Sequence, residues 1–236
     1  LSLATFDQML RFFGSKSVNG QGYLWNRFMG GYTDASEREW KKLREAHDML
    51  DAKVSEIFGK KMRWSDLFSM ERKMPTVTVE FWYAGEKKKH ELTQGNLLYI
   101  YMVNKMNDGR MKLRHMGITD EDVEYIKEHI DPRFLELADW IQDVFLKEKR
   151  KEYNEVHERM FGASMATIDN YFPLKINSRS RGQEEEIGEP TYSETKPATI
   201  TGSIIKRTRN ALPLDVTGAD AFDVVLEHLQ NMEHWA

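Results

Sequence analysis

The run from Asp131-Pro132 to Gly162 constrains the fold most. Through it Phe134, Leu137, Ala138, Ile141, Val144, Phe145, Val156, Met160 and Phe161 recur at steps that place apolar side chains on one side of a helix. Asp131 reads as the cap, Pro132 as the first helical residue and Gly162 as the stop, so one long helix is expected. Its middle, "KEKRKEYNE", is polar nearly all round and is expected to project beyond the core on most faces. After Gly162 the chain runs "ASMATIDNYFPLKI", where Pro173 pushes Phe172 towards an extended backbone. Tyr171, Phe172, Pro173 and Leu174 are therefore expected to form a strap that lies back over the helices as a structural latch.

Helical periodicity governs most of the remaining chain. Thr5 to Phe13 reads as a short helix, and a glycine-punctuated aromatic segment, "GYLWNRFMGGY", follows as an irregular loop. From Asp34 to Phe58, Trp40, Leu43, His47, Leu50, Val54, Ile57 and Phe58 outline an amphipathic helix stopped by Gly59. Thr93 is expected to cap a helix with Leu97, Leu98, Tyr101 and Met102 on its apolar face, and Asn107-Asp108-Gly109 to break it. A short helix to His115-Met116-Gly117 follows, and Thr119 with Asp122 marks another start. Near the end, Thr217 is the expected cap of a helix carrying Ala221, Phe222, Val225, Leu229, Met232 and Trp235.

One stretch breaks this period. "TVTVEFWYAGEKKKHEL" alternates and is β-branched and aromatic, with a turn at Ala84-Gly85-Glu86, which predicts a β-hairpin at about 76–92 with Val77, Val79 and Phe81 on one face. The fold class is thus mainly α with a small β-hairpin: an irregular helical bundle with an extended strap after the long helix. The expected organisation is a helical body over 1–176, a polar linker over 177–216 and a C-terminal helix over 217–236. The chain begins at Leu1 without Met and ends on "VVLEHLQNMEHWA" with no helix stop, so a piece of a longer polypeptide is expected.

Composition narrows the chemistry. With 236 residues, 40% apolar and 31% charged, the chain is expected to be globular, and no apolar run approaches the roughly 18 residues of a membrane span. Zero cysteines remove disulfides, thiolate metal sites and cysteine nucleophiles. His228 and His234 are six apart and fall on different helix faces, while His47 and Asp51, one turn apart, read better as a half-buried imidazole beside a solvated carboxylate. No metal or other cofactor is expected. Neither a phosphate-binding glycine loop nor a Gly-x-Ser-x-Gly elbow is present, and no catalytic residue is nominated. The net charge of -4 means that nucleic-acid binding would have to be local. Its candidates are Lys206, Arg207 and Arg209 in "SIIKRTRNALPL", together with Lys87, Lys88 and Lys89 on the hairpin, where lysines also suit an exposed edge strand.

The segments "ELTQGNLLYIYM", "GITDEDVEYI", "EYNEVHERMFG" and "DNYFPLKI" together resemble helical segments of very large multidomain proteins of phages and mobile elements. The resemblance implies a module within a giant polypeptide and transfers no catalytic residue. The leading expectation is a non-catalytic structural or interaction module whose partners are neighbouring domains or protein subunits, in the cytoplasm or within a phage particle. A nucleic-acid-handling module is the alternative, and an enzyme with a non-contiguous site is the third class.

Overall fold

The computed structural model describes residues 31–59, 61–83, 86–165, 167–176 and 214–236. The expected helix at residues 5–13, the glycine-rich loop and the basic cluster Lys206, Arg207 and Arg209 lie outside them. The elements are α1 (Gly31–Phe58), α2 (Trp64–Glu71), β1 (Val77–Tyr83), β2 (Glu86–Leu92), α3 (Gln94–Asn104), α4 (Asn107–His115), α5 (Asp120–Glu128), α6 (Pro132–Trp140), a π-helical turn (Ile141–Phe145), α7 (Leu146–Phe161) and α8 (Ala221–Trp235). Among the described residues the protein is mainly α with one antiparallel hairpin.

The chain divides after Ala46 into two compact units. Of the first, the described part is the beginning of α1 alone, where Arg38 Nε donates to the Asp34 carbonyl at 3.1 Å and Lys41 lies 3.9 Å from Glu45. Trp40, assigned by its spacing to the apolar face, is 72% exposed there.

The second unit, His47–Ala236, is built around α3. Every residue from Gln94 to Ile100 is buried, as are Met102 and Val103, so α3 is enclosed on all sides and not along one apolar stripe. It touches α4, α5, α6, α8 and β2. A helix N-terminus leaves backbone N–H groups without helical partners, and burial removes the water that would otherwise satisfy them. Here Thr93 Oγ1 accepts from the Asn96 N–H at 3.3 Å, Asn96 Oδ1 accepts from the Thr93 N–H at 3.0 Å, and Glu71 Oε1 accepts from the Gly95 N–H at 2.9 Å. Side chains of the same turn reach outward: Gln94 donates to the His129 carbonyl at 3.0 Å and accepts from the Asp131 N–H at 3.2 Å, and Asn96 donates to the Ala219 carbonyl at 2.8 Å.

Around this axis the apolar packing is aromatic. Phe222 of α8 meets Trp64 at 5.4 Å and Phe68 at 6.0 Å, both edge to face, and Phe134 at 5.5 Å, joining α2, α6 and α8. Phe58, at the end of α1, lies 5.2 Å from Phe134. Asp51 Oδ1 accepts from the Trp64 N–H at 2.7 Å, so this carboxylate holds the start of α2. The hairpin registers Val77 with Leu92 and Tyr83 with Glu86. Val77, Val79 and Phe81 turn inward together, Phe81 stacks on His90 at 4.1 Å, and the Trp82 N–H donates to the Met116 carbonyl at 2.7 Å.

Local rules fail at identifiable places. α3 ends at Asn104, and Asn107-Asp108-Gly109, expected as a break, instead form the first turn of α4; Gly109 lets the two helices touch, since a Cβ on it would lie 2.2 Å from the Val103 carbonyl oxygen. Thr217 does not cap α8. Asp220 does, its Oδ1 accepting from the Phe222 N–H at 2.8 Å. The polar middle of α7 does not project freely, since Lys149 and Tyr153 are buried there. Conversely Met160 and Phe161 are 61% and 49% exposed, because α8 meets α7 at Lys149, Tyr153 and His157, one turn short of them.

Asp220 also packs against the start of α3, where a Cβ on Gly95 would lie 2.2 Å from its Oδ2. Burial, and then the hydrogen bond and charge of Glu71, push the Asp220 carboxyl up to about 7. An unfolded aspartate titrates near 4. The folded state therefore holds a proton that the unfolded state has lost over this range, and its stabilisation is fully present below about pH 4 and is lost as pH rises to about 7. Asp220→Asn keeps a good cap and a donor to Glu71. Urea unfolding across this range should show wild type losing on the order of 3 kcal/mol relative to the variant; parallel pH profiles would refute the shared proton. Gly109→Ala should destabilise by about 1–2 kcal/mol, since crowding against a backbone carbonyl outweighs the better helix propensity of Ala. A raised urea midpoint would show that α3 and α4 can separate at no loss.

Candidate functional site

The segment after α7 returns along the helix it has just left. Gly162, with φ +69, turns the chain, and its N–H donates to the Glu158 carbonyl at 2.8 Å. Arg150, Asn154 and Glu158 then repeat at four-residue steps along one face, and each holds the return segment. Glu158 accepts from the Ser164 hydroxyl, Asn154 Oδ1 from the Met165 N–H at 2.7 Å, and Arg150 Nη1 donates to the Ile168 carbonyl at 3.3 Å. Hydrogen bonds from Ser164 and Asn154 hold the Glu158 carboxyl below its ordinary range.

At Asn170, with φ +50, the segment leaves α7 and crosses to α3. Asn170 Nδ2 donates to the Lys105 carbonyl at 3.3 Å and its own carbonyl accepts from Gln142 Nε2 at 2.5 Å. Phe172 is fully buried, 6.0 Å from the Tyr99 ring and edge to face with it. Tyr99 Oη accepts from the Lys175 N–H at 2.8 Å and donates to the Lys175 carbonyl at 3.3 Å, so one phenol holds both backbone groups of one strap residue. Burial raises the Tyr99 phenol well above its ordinary range and keeps it a donor. Beyond it Ile176 bridges Leu214, and the Asp215 N–H donates to the Lys175 carbonyl at 2.9 Å. Tyr171, Pro173 and Leu174 are half-buried, and the Tyr171 ring lies 5.5 Å from His228, whose imidazole is pushed down to about 4 by desolvation.

The π-helical turn faces the same place. Its wider winding sets Gln142 inward, 1% exposed, where Nε2 donates to the Met102 carbonyl at 3.0 Å as well as to Asn170. These two carbonyls fix which end of the amide is nitrogen, and Oε1 is left buried without a hydrogen-bond partner among the described residues. Between α7 and the return segment lies a cleft of about 730 Å³, with Gln142, Lys147, Arg150 and Lys151 on the helical wall and Asp169 and Tyr171 on the other. Lys147 pairs with Asp143 at 3.2 Å on the surface, whereas Lys151 is exposed and makes no ion pair among the described residues.

The opposite side of α7 carries a buried charge network. Lys149 Nζ lies 3.0 Å from Glu233 Oε1, which also accepts from Tyr153 Oη at 3.0 Å, so α8 is held to α7 by a desolvated ion pair and a phenol. Desolvation, and then the Glu233 charge, raise the Tyr153 phenol far above its ordinary range. The four-residue step from Lys149 to Tyr153, three residues after Leu146, is the signal for this face in the sequence, masked by the charge around it.

The hairpin lysines are exposed among the hairpin's own carboxylates. Lys87 lies 3.4 Å from Glu80, Lys88 pairs with Glu86, and Lys89 is registered opposite Glu80. They are not brought to the cleft, which draws its cations from α7. Among the described residues no three His, Asp or Glu side chains gather as a metal-holding group, and no helix is long and apolar enough to cross a membrane.

A latch role for Tyr171, Phe172, Pro173 and Leu174 is tested by truncation. Phe172→Ala empties a closed site and should cost about 3–5 kcal/mol. Together with Tyr171→Ala it should lower Tm by roughly 10 °C or more, and an unchanged melt would sink the latch. In comparisons with known proteins, neither a family model, nor a curated protein, nor a solved structure matches this chain.

Proposed function

We propose that the chain is a non-catalytic structural and interaction module, a segment of a larger phage or mobile-element polypeptide, acting in the cytoplasm or within a phage particle. One observation supports it above the others. The buried polar side chains of the described residues, Glu71, Gln94, Asn96, Gln142, Lys149 and Glu233, each bond a residue distant in sequence and join separate parts of the fold. Polar groups are costly to bury unless hydrogen-bonded, and bonds that join distant segments make one arrangement of the elements preferable to its alternatives. A rigid framework is what a module needs if it works by presenting a fixed surface to neighbouring domains or subunits.

The end of α7 offers such a surface. Met160 and Phe161 are exposed beside His157, whose ring lies 4.8 Å from Phe161 and 6.2 Å from Trp235. Large exposed apolar side chains grouped at a helix end are characteristic of contact sites. In its native polypeptide, the chain with p-benzoylphenylalanine in place of Phe161 should photo-crosslink to protein outside residues 1–236. Crosslinks confined to the chain itself would overturn the interaction reading at this surface.

A further inference from the structure

Scaffolding does not account for the cleft between α7 and the return segment. Its helical wall places Lys147, Arg150 and Lys151 within two turns of one another, and the facing wall adds one carboxylate, Asp169. Steps of three and four residues put these cations on one side of the helix, where like charges repel unless an anion lies among them. Lys151 is exposed and makes no ion pair among the described residues. The pair of Lys147 with Asp143 is a surface contact of the kind that contributes about 1 kcal/mol or less, and a phosphate displaces it readily. Arginine and lysine together supply the forked and the point-charge donors that phosphate oxygens take.

A second feature points to more than phosphate. Gln142 lies in the same wall, its amide nitrogen engaged by two carbonyls and its oxygen buried without a donor among the described residues. A buried acceptor left unmade is costly, on the order of 1–3 kcal/mol, so the site favours a ligand that brings an N–H. Local backbone departures meet here too: the π-helical turn sets the glutamine, and Asn170 takes a left-handed backbone to receive it. Tyr171 supplies an aromatic ring, with Leu146, Met165 and Ile168 as apolar lining. A volume of about 730 Å³ is in the range of small-ligand sites.

We propose that this cleft binds a nucleotide, its phosphates held by Lys147, Arg150 and Lys151, its base against Tyr171 and a base N–H directed to Gln142 Oε1. The same chemistry is offered by a free nucleotide and by a nucleotide within a single strand. Calorimetric titration of the full chain with adenosine triphosphate, inorganic triphosphate and a short oligodeoxyadenylate separates these cases. At low salt the nucleotide or the oligonucleotide should bind at least tenfold more tightly than inorganic triphosphate, and binding should weaken at roughly 150 mM salt. Lys147→Gln with Lys151→Gln should reduce affinity at least tenfold while Tm is unchanged, because both side chains are exposed. Tighter binding of the oligonucleotide assigns the cleft to a strand, and tighter binding of adenosine triphosphate assigns it to the free nucleotide. No binding at low salt, equal binding of inorganic triphosphate, or undiminished binding by the double variant would each overturn the proposal.

Discussion

A helix enclosed on every side must find protein partners for each polar group that water would otherwise satisfy. The rest of the second unit is arranged around that constraint on α3, none of whose residues is exposed. Its first turn recruits Glu71 from α2, the turn before α6 through Gln94, and the segment before α8 through Asn96. Three stretches far apart in sequence are thereby placed before any apolar contact among them is considered. The Phe222 cluster closes over that arrangement, and its rings add packing to positions the hydrogen bonds have already specified.

The long helical run works differently, through two faces with separate tasks. One face pairs Lys149 and Tyr153 with Glu233 and so carries α8. Replacing a buried ion pair by apolar groups is often no less stable, whereas removing one partner is strongly unfavourable, so the contribution of the Lys149–Glu233 pair is chiefly to the choice of partner surface. The other face carries the return segment through Arg150, Asn154 and Glu158, then hands it to Tyr99 across α3. Between them the π-helical turn shifts the register of the helix. Val144, which an uninterrupted helical period places with the apolar residues, is 39% exposed as a result, while Gln142 is turned inward.

Much of this was legible from local chemistry. Asp131-Pro132, Thr119 with Asp122, Thr93, Gly117 and Gly162 mark helix ends because capping depends on a few neighbouring residues. The hairpin was equally plain, since alternation over "TVTVEFWY" and a turn at Ala84-Gly85 are both short-range signals. The aromatic corner at Phe172-Pro173 announced a change of direction. Less legible was α2, whose eight residues are too few to show a period and whose start is held by Asp51 from another helix. The cleft was not legible at all, because Gln142, Lys151 and Tyr171 belong to segments whose meeting depends on how far the return segment follows α7.

By itself the sequence determined the fold class, the hairpin, most helix ends and the chemistries closed to a chain without cysteine, because each of these rests on composition or on residues within a few positions of one another. Tertiary structure decided which faces are inside. Lys149 and Tyr153 lie in a stretch that reads as polar surface, and Gln142 carries no signal of its own, yet all three are buried, while Met160 and Phe161 read as core and are exposed. The reason is physical: burial of a polar group becomes favourable only when a partner such as Glu233 or the Asn170 carbonyl arrives from a distant part of the chain, and burial of an apolar group requires a surface to cover it.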